Sequence, residues 1–181
     1  MLGIKEIKRE KYGLSRLFLL TMLLSFFGWA FETVYFLLYK GKYSDRGFLT
    51  LPFCPIYGCS LVGIYLLIGS PDDKVVKMPL YIAVCFLLPS LIELFIGVIF
   101  DKLWNRRLWT YFGYPYNLNG YICLRNSILW GIMAFLFMKY LFPPIKKAVR
   151  KLSERWSNFL AIMIGFSVFV DFLYNFIMLY C

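Results

Sequence analysis

The sequence predicts an all-α membrane protein, a polytopic bundle of about five transmembrane helices with a broken or re-entrant segment before the second. Two observations point to this fold class. Of the 181 residues, 61% are hydrophobic and 21% are aromatic, and several apolar runs approach or exceed the roughly 20 residues that span a bilayer. Helices are expected because backbone groups in hydrocarbon must find hydrogen-bond partners within their own segment.

The apolar runs divide the chain into spans and short connections, which leaves room for a single membrane domain over residues 1–181. The N-terminal segment 1–16 is basic and is expected on the cytoplasmic side. Pro143-Pro144 is expected to end the fourth helix, so a basic cytoplasmic loop, 143–158, should lead to the fifth. The predicted transmembrane helices are 17–38, 55–69, 79–100, 122–142 and 159–180.

The second run is short for a complete span. Residues 55–69 cover about 22 Å at about 1.5 Å per residue, less than the roughly 30 Å of a hydrocarbon core. Pro52 and Pro55 remove amide donors and disfavour helix for the residues that precede them. Residues 47–53 are therefore expected either to enter the membrane as irregular chain that lines a cavity, or to lead into a kinked helix with Pro55 at its first position.

The charge distribution predicts the orientation. A net charge of +10 would favour nucleic acid as a partner in a soluble protein, but here most Lys and Arg residues lie outside the predicted spans. With a cytoplasmic N-terminus, twelve of them flank the inner side and six flank the outer side, as the positive-inside rule requires. We expect a multi-pass protein that has the lipid bilayer, and no nucleic acid, as its partner.

Several chemistries are excluded. The chain has no histidine, so it offers no imidazole ligand and no His-based triad. Its five cysteines lack metal-binding spacing, and neither a metal nor a cofactor is predicted. Cys54 and Cys123 are both expected near the outer surface, where a disulfide is the alternative to two buried thiols. The sequence has no Gly-x-x-x-x-Gly-Lys-Ser/Thr loop, which excludes ATP hydrolysis of the P-loop type by this chain.

Two predicted helices each carry a stripe of small and polar residues on one face. The stripes are Thr21, Ser25, Gly28 and Glu32 in the first helix, and Ser90, Glu93, Gly97 and Asp101 in the third. Small residues permit close helix contact, and a carboxylate on such a face should point into the bundle. The loop after the third helix is rich in Trp and Tyr, which are expected to form an interfacial aromatic belt.

Charged side chains are expected to converge in the outer part of the membrane. By residue count, that part holds Glu32, Glu93, Asp101 and Arg125, beneath loops that carry Arg46 and Asn117, whereas Asp171 lies nearer the middle. An ionised group in hydrocarbon costs about 2.5 to 3.5 kcal/mol, so each needs a partner or water. The three interior carboxylates, Glu32, Glu93 and Asp171, then face one guanidinium, that of Arg125. This imbalance requires a protonated carboxylate, a bound cation or an inward-folded Arg46.

Arg125 is expected to form a charge-assisted pair with one of the glutamates, Glu93. The functional hypothesis is a polar cavity, open to the outer face, that binds a small solute. The alternative is that these groups only fix the register of the helices.

Several motifs between residues 25 and 135 occur together. They are Gly28-Trp29 with Glu32, Arg46-Gly47-Phe48-Leu49, Pro55-Ile56-Tyr57-Gly58, Glu93, and Trp109 with Tyr111, Pro115 and Asn117-Leu118-Asn119-Gly120. In this combination the chain resembles the CmpB family of small bacterial membrane proteins, described as putative ABC-transporter type IV permeases. Thr110 and Leu51 depart from the family pattern, which usually has an acidic residue and a glycine at these positions.

The resemblance implies a permease of the bacterial cytoplasmic membrane. Its ATPase would be a separate subunit, for which the basic segment 144–156 is the docking candidate; binding of anionic lipid is the alternative role of that segment. The candidate substrate-binding residues are Glu32, Arg46, Tyr57, Glu93, Asp101, Asn117, Asn119, Arg125 and Asp171.

Three functions are compatible with these features. The first is a small permease-like subunit, oligomeric because five short helices enclose little volume. The second is a membrane-embedded enzyme acting on a lipid or isoprenoid headgroup, with Glu32 or Glu93 as general acid or base and with Arg46 and Arg125 holding phosphate. The third is a structural partner of another membrane complex, which needs no chemistry.

Overall fold

A computed structural model describes residues 13–41, 47–71 and 78–178. Within these ranges the chain is almost entirely helical. Six α-helices, one π-helical turn and one short β-hairpin follow one another in chain order. They are α1 (Leu14–Lys40), α2 (Pro55–Ile68), α3 (Met78–Trp104), β1 (Asn117–Leu118), β2 (Ile122–Cys123), α4 (Leu124–Leu136), the π turn (Phe137–Leu141), α5 (Phe142–Lys151) and α6 (Glu154–Met178).

The predicted class of transmembrane helices is confirmed. In the described part of the chain, four helical stretches are long and apolar enough to cross a membrane: Leu14–Tyr39, Met78–Trp104, Leu124–Lys151 and Glu154–Met178. The remaining apolar helix, α2, has 14 residues, as its short apolar run predicted. Many large apolar side chains on these helices are exposed, for example Phe95 and Phe166, which suits contact with lipid.

The prediction that Pro143-Pro144 ends the fourth helix is wrong. Helix continues from Leu124 to Lys151, so most of the predicted loop 143–158 is helical and α6 already begins at Glu154. The π turn explains this difference. There the Phe142 N–H donates to Phe137 O, five residues back, and the wider turn accommodates proline rings that would clash with the carbonyls of a regular helix.

The described residues form two compact units. The α3–α4 unit comprises residues 60–143, and the α1–α6 unit comprises residues 13–59 and 144–178. In the α3–α4 unit, Gly131 of α4 lies so close to the Phe86 ring of α3 that a Cβ atom would overlap it. In the α1–α6 unit, Leu20, Leu24 and Ser25 of α1 are fully buried.

The segment before α2 is re-entrant, as one of the two sequence-based alternatives proposed. Residues 47–54 contain no helix, and the Cys54 N–H donates to Ser25 O at 3.2 Å. Ser25 lies 15 residues before the end of α1, which is about 22 Å along a helix. The chain therefore returns to the middle of a membrane-length helix before α2 begins.

Pro55 is the first residue of α2, the position that the other alternative gave it. Proline suits this position since the first N–H of a helix has no intrahelical partner. Because α2 starts beside the middle of α1, it is only about half as long as α1.

Candidate functional site

The polar stripe of α1 is the surface on which the first turn of α2 packs. A Cβ atom on Gly58 would overlap Thr21 O and Ser25 Oγ, and one on Gly28 would overlap the Tyr57 ring. Glycine at both positions lets the two backbones approach closely. The predicted role of the small residues in this stripe is thereby confirmed.

This close approach brings a tyrosine to the predicted acidic residue. The Tyr57 hydroxyl donates to Glu32 Oε2 at 2.9 Å, one helical turn beyond Gly28. Both side chains are half-buried. Two residues of the predicted substrate-binding set, Glu32 and Tyr57, are thus in direct contact.

In the α3–α4 unit, Glu93 also accepts a hydrogen bond from a tyrosine. Glu93 is 5% exposed, and its Oε1 accepts from the Tyr111 hydroxyl at 2.7 Å. The backbone N–H of Tyr111 donates to Gly120 O at 2.9 Å, which fixes the loop over α3. Burial, followed by the neighbouring Glu93 carboxylate, raises the pKa of Tyr111, so this phenol is a proton donor throughout the physiological range.

The carboxylate at the end of the α3 stripe, Asp101, accepts hydrogen bonds from a second tyrosine and from an arginine. Asp101 Oδ2 accepts from the Tyr121 hydroxyl at 2.5 Å and from Arg107 Nη2 at 3.0 Å. The Arg107 guanidinium carbon lies 4.8 Å from the centre of the Phe112 ring and 4.9 Å from that of Tyr121. The hydrogen bond to Asp101 and burial raise the pKa of Tyr121. We call Asp101, Arg107 and Tyr121 the Asp101 cluster.

The two asparagines of the predicted set build the turn that positions these tyrosines. Asn117 Oδ1 accepts from the Gly120 N–H at 3.0 Å, and its Nδ2 donates to Tyr114 O at 2.8 Å. Asn119 and Gly120 have φ angles of 50° and 74°, as in the type I′ turns that join antiparallel strands. Asn119 contributes its carbonyl, which accepts from Arg107 Nη1 at 3.1 Å. The Asn117 side chain and the Asn119 backbone therefore have structural roles in the hairpin.

The predicted pair between Arg125 and Glu93 is not the arrangement observed. The Arg125 side chain is exposed, and its guanidinium carbon lies 5.5 Å from the centre of the Tyr114 ring. Glu93 instead accepts from Tyr111, whose loop folds back over α3. A neutral donor thus takes the place at Oε1 that the sequence had suggested for a cation.

Asp171 holds the re-entrant segment. Its Oδ2 accepts from the Leu51 N–H at 3.1 Å, and its Oδ1 accepts from Asn175 Nδ2 at 3.2 Å. Asn175 Nδ2 also donates to Thr50 Oγ1 at 3.0 Å. These contacts supply partners for backbone that is not in a helix. The last predicted residue, Arg46, lies outside the described residues.

The sequence interpretation missed the roles of Tyr111, Tyr121 and Trp109, which it assigned to an aromatic belt. Trp109 Nε1 donates to Tyr121 O at 2.9 Å, and this bond joins the two arms of the loop. The signal that could have revealed them was the Asn-Gly turn, because a hairpin there carries its flanking tyrosines back over the α3 stripe.

Two further kinds of site, a disulfide and a metal site, concern the cysteines and acidic residues that the structure describes. Neither Cys54 nor Cys123 is in a disulfide bond, so the disulfide alternative is wrong. Over the described ranges, no three His, Cys, Asp or Glu residues lie close enough together to hold a metal ion.

Comparison with known proteins identifies a family. Residues 19–176 match the family model ABC_trans_CmpB, described as "Putative ABC-transporter type IV". This range includes all the contacts described above. No curated protein matches the chain, and no solved structure does.

Proposed function

The chain belongs to the CmpB family of putative ABC-transporter type IV proteins, and from this we propose that it is a permease-like subunit of the bacterial cytoplasmic membrane. In this proposal the N-terminus is cytoplasmic and the subunit acts in an oligomer. It binds a small polar solute in an outward-facing cavity, and a separate ATPase subunit supplies the energy.

The observation that carries this proposal is the re-entrant segment followed by the half-length α2. Irregular backbone at membrane depth is tolerated where it is buried in protein or lines a water-filled cavity. Transporters use such interrupted spans near the middle of the bilayer to form their solute sites. Here the interruption ends at Cys54, opposite the middle of α1, and α2 starts beside the stripe that carries Glu32.

The Glu32–Tyr57 contact is the proposed solute site of the α1–α6 unit. A carboxylate can accept several hydrogen bonds at once, so a solute can bind Glu32 beside the tyrosine, and the phenol can turn to the solute in exchange. The Glu93–Tyr111 contact has the same chemistry in the α3–α4 unit. Both sites would favour a solute that carries a positive charge or several hydrogen-bond donors.

The remaining predicted residues receive supporting roles. The Asp171 and Asn117 side chains hold backbone, and the Asn119 carbonyl holds Arg107. The Asp101 cluster and Arg125 fix the loop after α3. Arg46 is proposed to contribute charge at the outer side, as the sequence suggested. The basic helix α5, with Lys147 and Arg150 exposed, is the proposed contact surface for the ATPase.

The test begins with purification of the tagged full-length chain from bacterial membranes in mild detergent. We expect an ATP-binding subunit to co-purify and the complex to drive ATP-dependent uptake of one member of a panel of small polar solutes into vesicles. Glu32→Gln and Glu93→Gln should abolish that uptake without lowering the yield of the complex. Arg155→Gln, which removes a charge from an exposed side chain in the first turn of α6, is the control.

Two outcomes would contradict the proposal. One is the absence of any ATPase together with vesicle uptake equal to that of protein-free vesicles. The other is equal loss of uptake in the control and in the two site variants. Unchanged uptake combined with an altered lipid composition in cells that carry Glu32→Gln would favour the enzyme acting on a lipid headgroup instead.

A further inference from the structure

A polar cleft of about 250 Å³ lies in the α1–α6 unit, bordered by the first turns of α1 and α6. Ser15 Oγ donates to Asn158 Oδ1 at 2.6 Å, which joins the two helix ends. The cleft is also lined by Arg16, Glu154 and Ser157. It therefore holds one basic and one acidic side chain among small polar groups.

Arg16 is the basic residue of the cleft lining. Its Nη2 donates to Leu152 O at 2.8 Å, which fixes the guanidinium beside the cleft. The oxygens of a phosphate group are strong acceptors for a guanidinium.

An apolar groove of about 320 Å³ adjoins the cleft on the same two helices. Leu19 of α1 lines it one turn beyond Arg16, and Leu160 of α6 lines it one turn beyond Ser157. Leu152 lines the groove, and its carbonyl accepts from Arg16 of the cleft. The groove thus continues the cleft toward the middle of the helices.

The two features follow one another along α1. The cleft is lined by Gly13 to Arg16 and the groove by residues from Leu19 to Phe26, together about 20 Å along a helix. A polar recess at the end of the helices, followed by an apolar groove, suits a molecule with a polar headgroup and an apolar chain.

We propose that the α1–α6 unit binds one phospholipid whose headgroup carries both a phosphate and an ammonium group, such as phosphatidylethanolamine. The Arg16 guanidinium donates to the phosphate. The Glu154 carboxylate receives the ammonium group, and an acyl chain occupies the groove. The lipid comes from the leaflet at the N-terminal ends of α1 and α6, and its binding does not depend on the proposed transport.

The charges of the cleft distinguish this headgroup from others. A purely anionic headgroup would place a negative charge beside Glu154, and a choline headgroup has no N–H with which to donate to a carboxylate. Phosphate and ammonium together match the Arg16 and Glu154 pair of the lining. This match makes the choice of lipid testable with single substitutions.

The experiment is native mass spectrometry of the full-length protein in detergent micelles that contain equal amounts of phosphatidylethanolamine, phosphatidylglycerol and phosphatidylcholine. We expect the wild type to retain one phosphatidylethanolamine per chain in preference to the other two. Arg16→Gln should lower the retained fraction about tenfold or more, because a charge-assisted bond is lost. Arg155→Gln removes the same charge from an exposed position in the first turn of α6, outside the cleft lining, and should retain the lipid.

Two more variants separate the parts of the site. Glu154→Gln should shift the preference from phosphatidylethanolamine toward phosphatidylglycerol, whereas Leu160→Trp should reduce retention of all three lipids by filling the groove. Circular dichroism of each variant checks that the helices are formed, and Leu160→Trp keeps the test valid should Arg16→Gln fail to fold. Absence of retained lipid in the wild type would overturn the proposal, as would equal losses for Arg16→Gln and Arg155→Gln. An unaltered headgroup preference in Glu154→Gln would overturn the role of the ammonium group.

Discussion

Gly28 of α1 lies against the ring of Tyr57 so closely that only a hydrogen side chain fits between them. This contact places the Tyr57 hydroxyl 2.9 Å from Glu32 Oε2. The absence of a side chain at Gly28 thus determines where the contact between Tyr57 and Glu32 forms. The proposed solute site of the α1–α6 unit depends on it.

Gly28→Ala should therefore destabilise the protein. The new methyl group would overlap the ring of Tyr57, and overpacking of this kind costs about 1–3 kcal/mol. Gly165→Ala is the control, because a Cβ atom there would lie 3.6 Å from Phe18, an ordinary contact. We expect a lower midpoint of thermal unfolding in detergent for Gly28→Ala and an unchanged or higher one for Gly165→Ala. Equal midpoints for Gly28→Ala and the wild type would show that the helices can separate without cost.

Glu32 and Tyr57 should be energetically coupled. Tyr57→Phe removes the donor and leaves the carboxylate less well paired, whereas Glu32→Gln keeps an acceptor oxygen but removes its charge. Residues in direct contact show interaction energies of about 0.5–3 kcal/mol. We expect a coupling in this range from a double-mutant cycle measured by unfolding in mixed detergent micelles. Additive effects of the two substitutions would contradict the hydrogen bond.

The spanning helices and the polar stripe of α1 can be deduced from residue patterns that are local in the sequence. Apolar run length predicted the spanning helices and the shortness of α2, because the hydrocarbon core sets the length of a span. The stripe from Thr21 to Glu32 was recognised because its members recur at helical spacing. The predicted end of the fourth helix at Pro143-Pro144 was wrong, because a π turn accommodates the proline rings. Such a turn cannot be recognised from residue types.

The partners of the carboxylates could not be deduced in the same way. Glu93 and Tyr111 are 18 residues apart, and Asp101 and Tyr121 are 20 apart. Each contact is formed by a loop whose path depends on an Asn-Gly turn and on the bond between Trp109 and Tyr121 O. The sequence predicted Arg125 as the partner of Glu93, because the tyrosines of the loop were expected only in an interfacial belt.

Tyr111 should make stability fall at alkaline pH. Its folded-state pKa is raised by burial and by the Glu93 carboxylate above an unfolded value of about 10. The stabilisation is complete below the unfolded pKa and is lost as pH rises toward the folded pKa, because the unfolded chain releases its proton first. We expect the difference in unfolding free energy between the wild type and Tyr111→Phe to shrink between pH 9 and 11. Tyr116→Phe, in the same loop and 84% exposed in the wild type, controls for loss of a hydroxyl group; a difference that widens with pH would contradict the assignment.

Gly120 should be intolerant of a side chain. Its φ angle is 74°, which L residues rarely adopt, and a Cβ atom would lie 2.9 Å from Phe112 Cδ2. Gly120→Ala is expected to cost about 1–3 kcal/mol and to expose the loop after α3 to limited proteolysis. Gly113→Ala is the matched change in the same loop, where a Cβ atom would meet nothing within 4 Å. Equal proteolysis of the two variants would show that the hairpin does not determine the order of the loop.

Asp171 should control the re-entrant segment, and a natural cysteine reports on it. Cys54, at the end of that segment, is 8% exposed and should react slowly with a membrane-permeant maleimide. Asp171→Leu removes the acceptor of the Leu51 N–H, and an unpaired amide in a buried segment costs about 1–3 kcal/mol. The segment should then open more often, and modification of Cys54, followed by peptide mass spectrometry, should be several-fold faster.

Ser167→Leu is the control for this experiment. It adds the same side chain one turn earlier on α6, where the exposed Ser167 hydroxyl donates only to its own helix, at Met163 O. Modification of Cys54 should be unchanged in this variant, and modification of the exposed Cys59 should be the same in all three proteins. If Asp171→Leu left the rate at Cys54 unaltered, the bond to Leu51 would not be what holds the segment at the middle of α1. The backbone bond from Cys54 to Ser25 would then have to hold it alone.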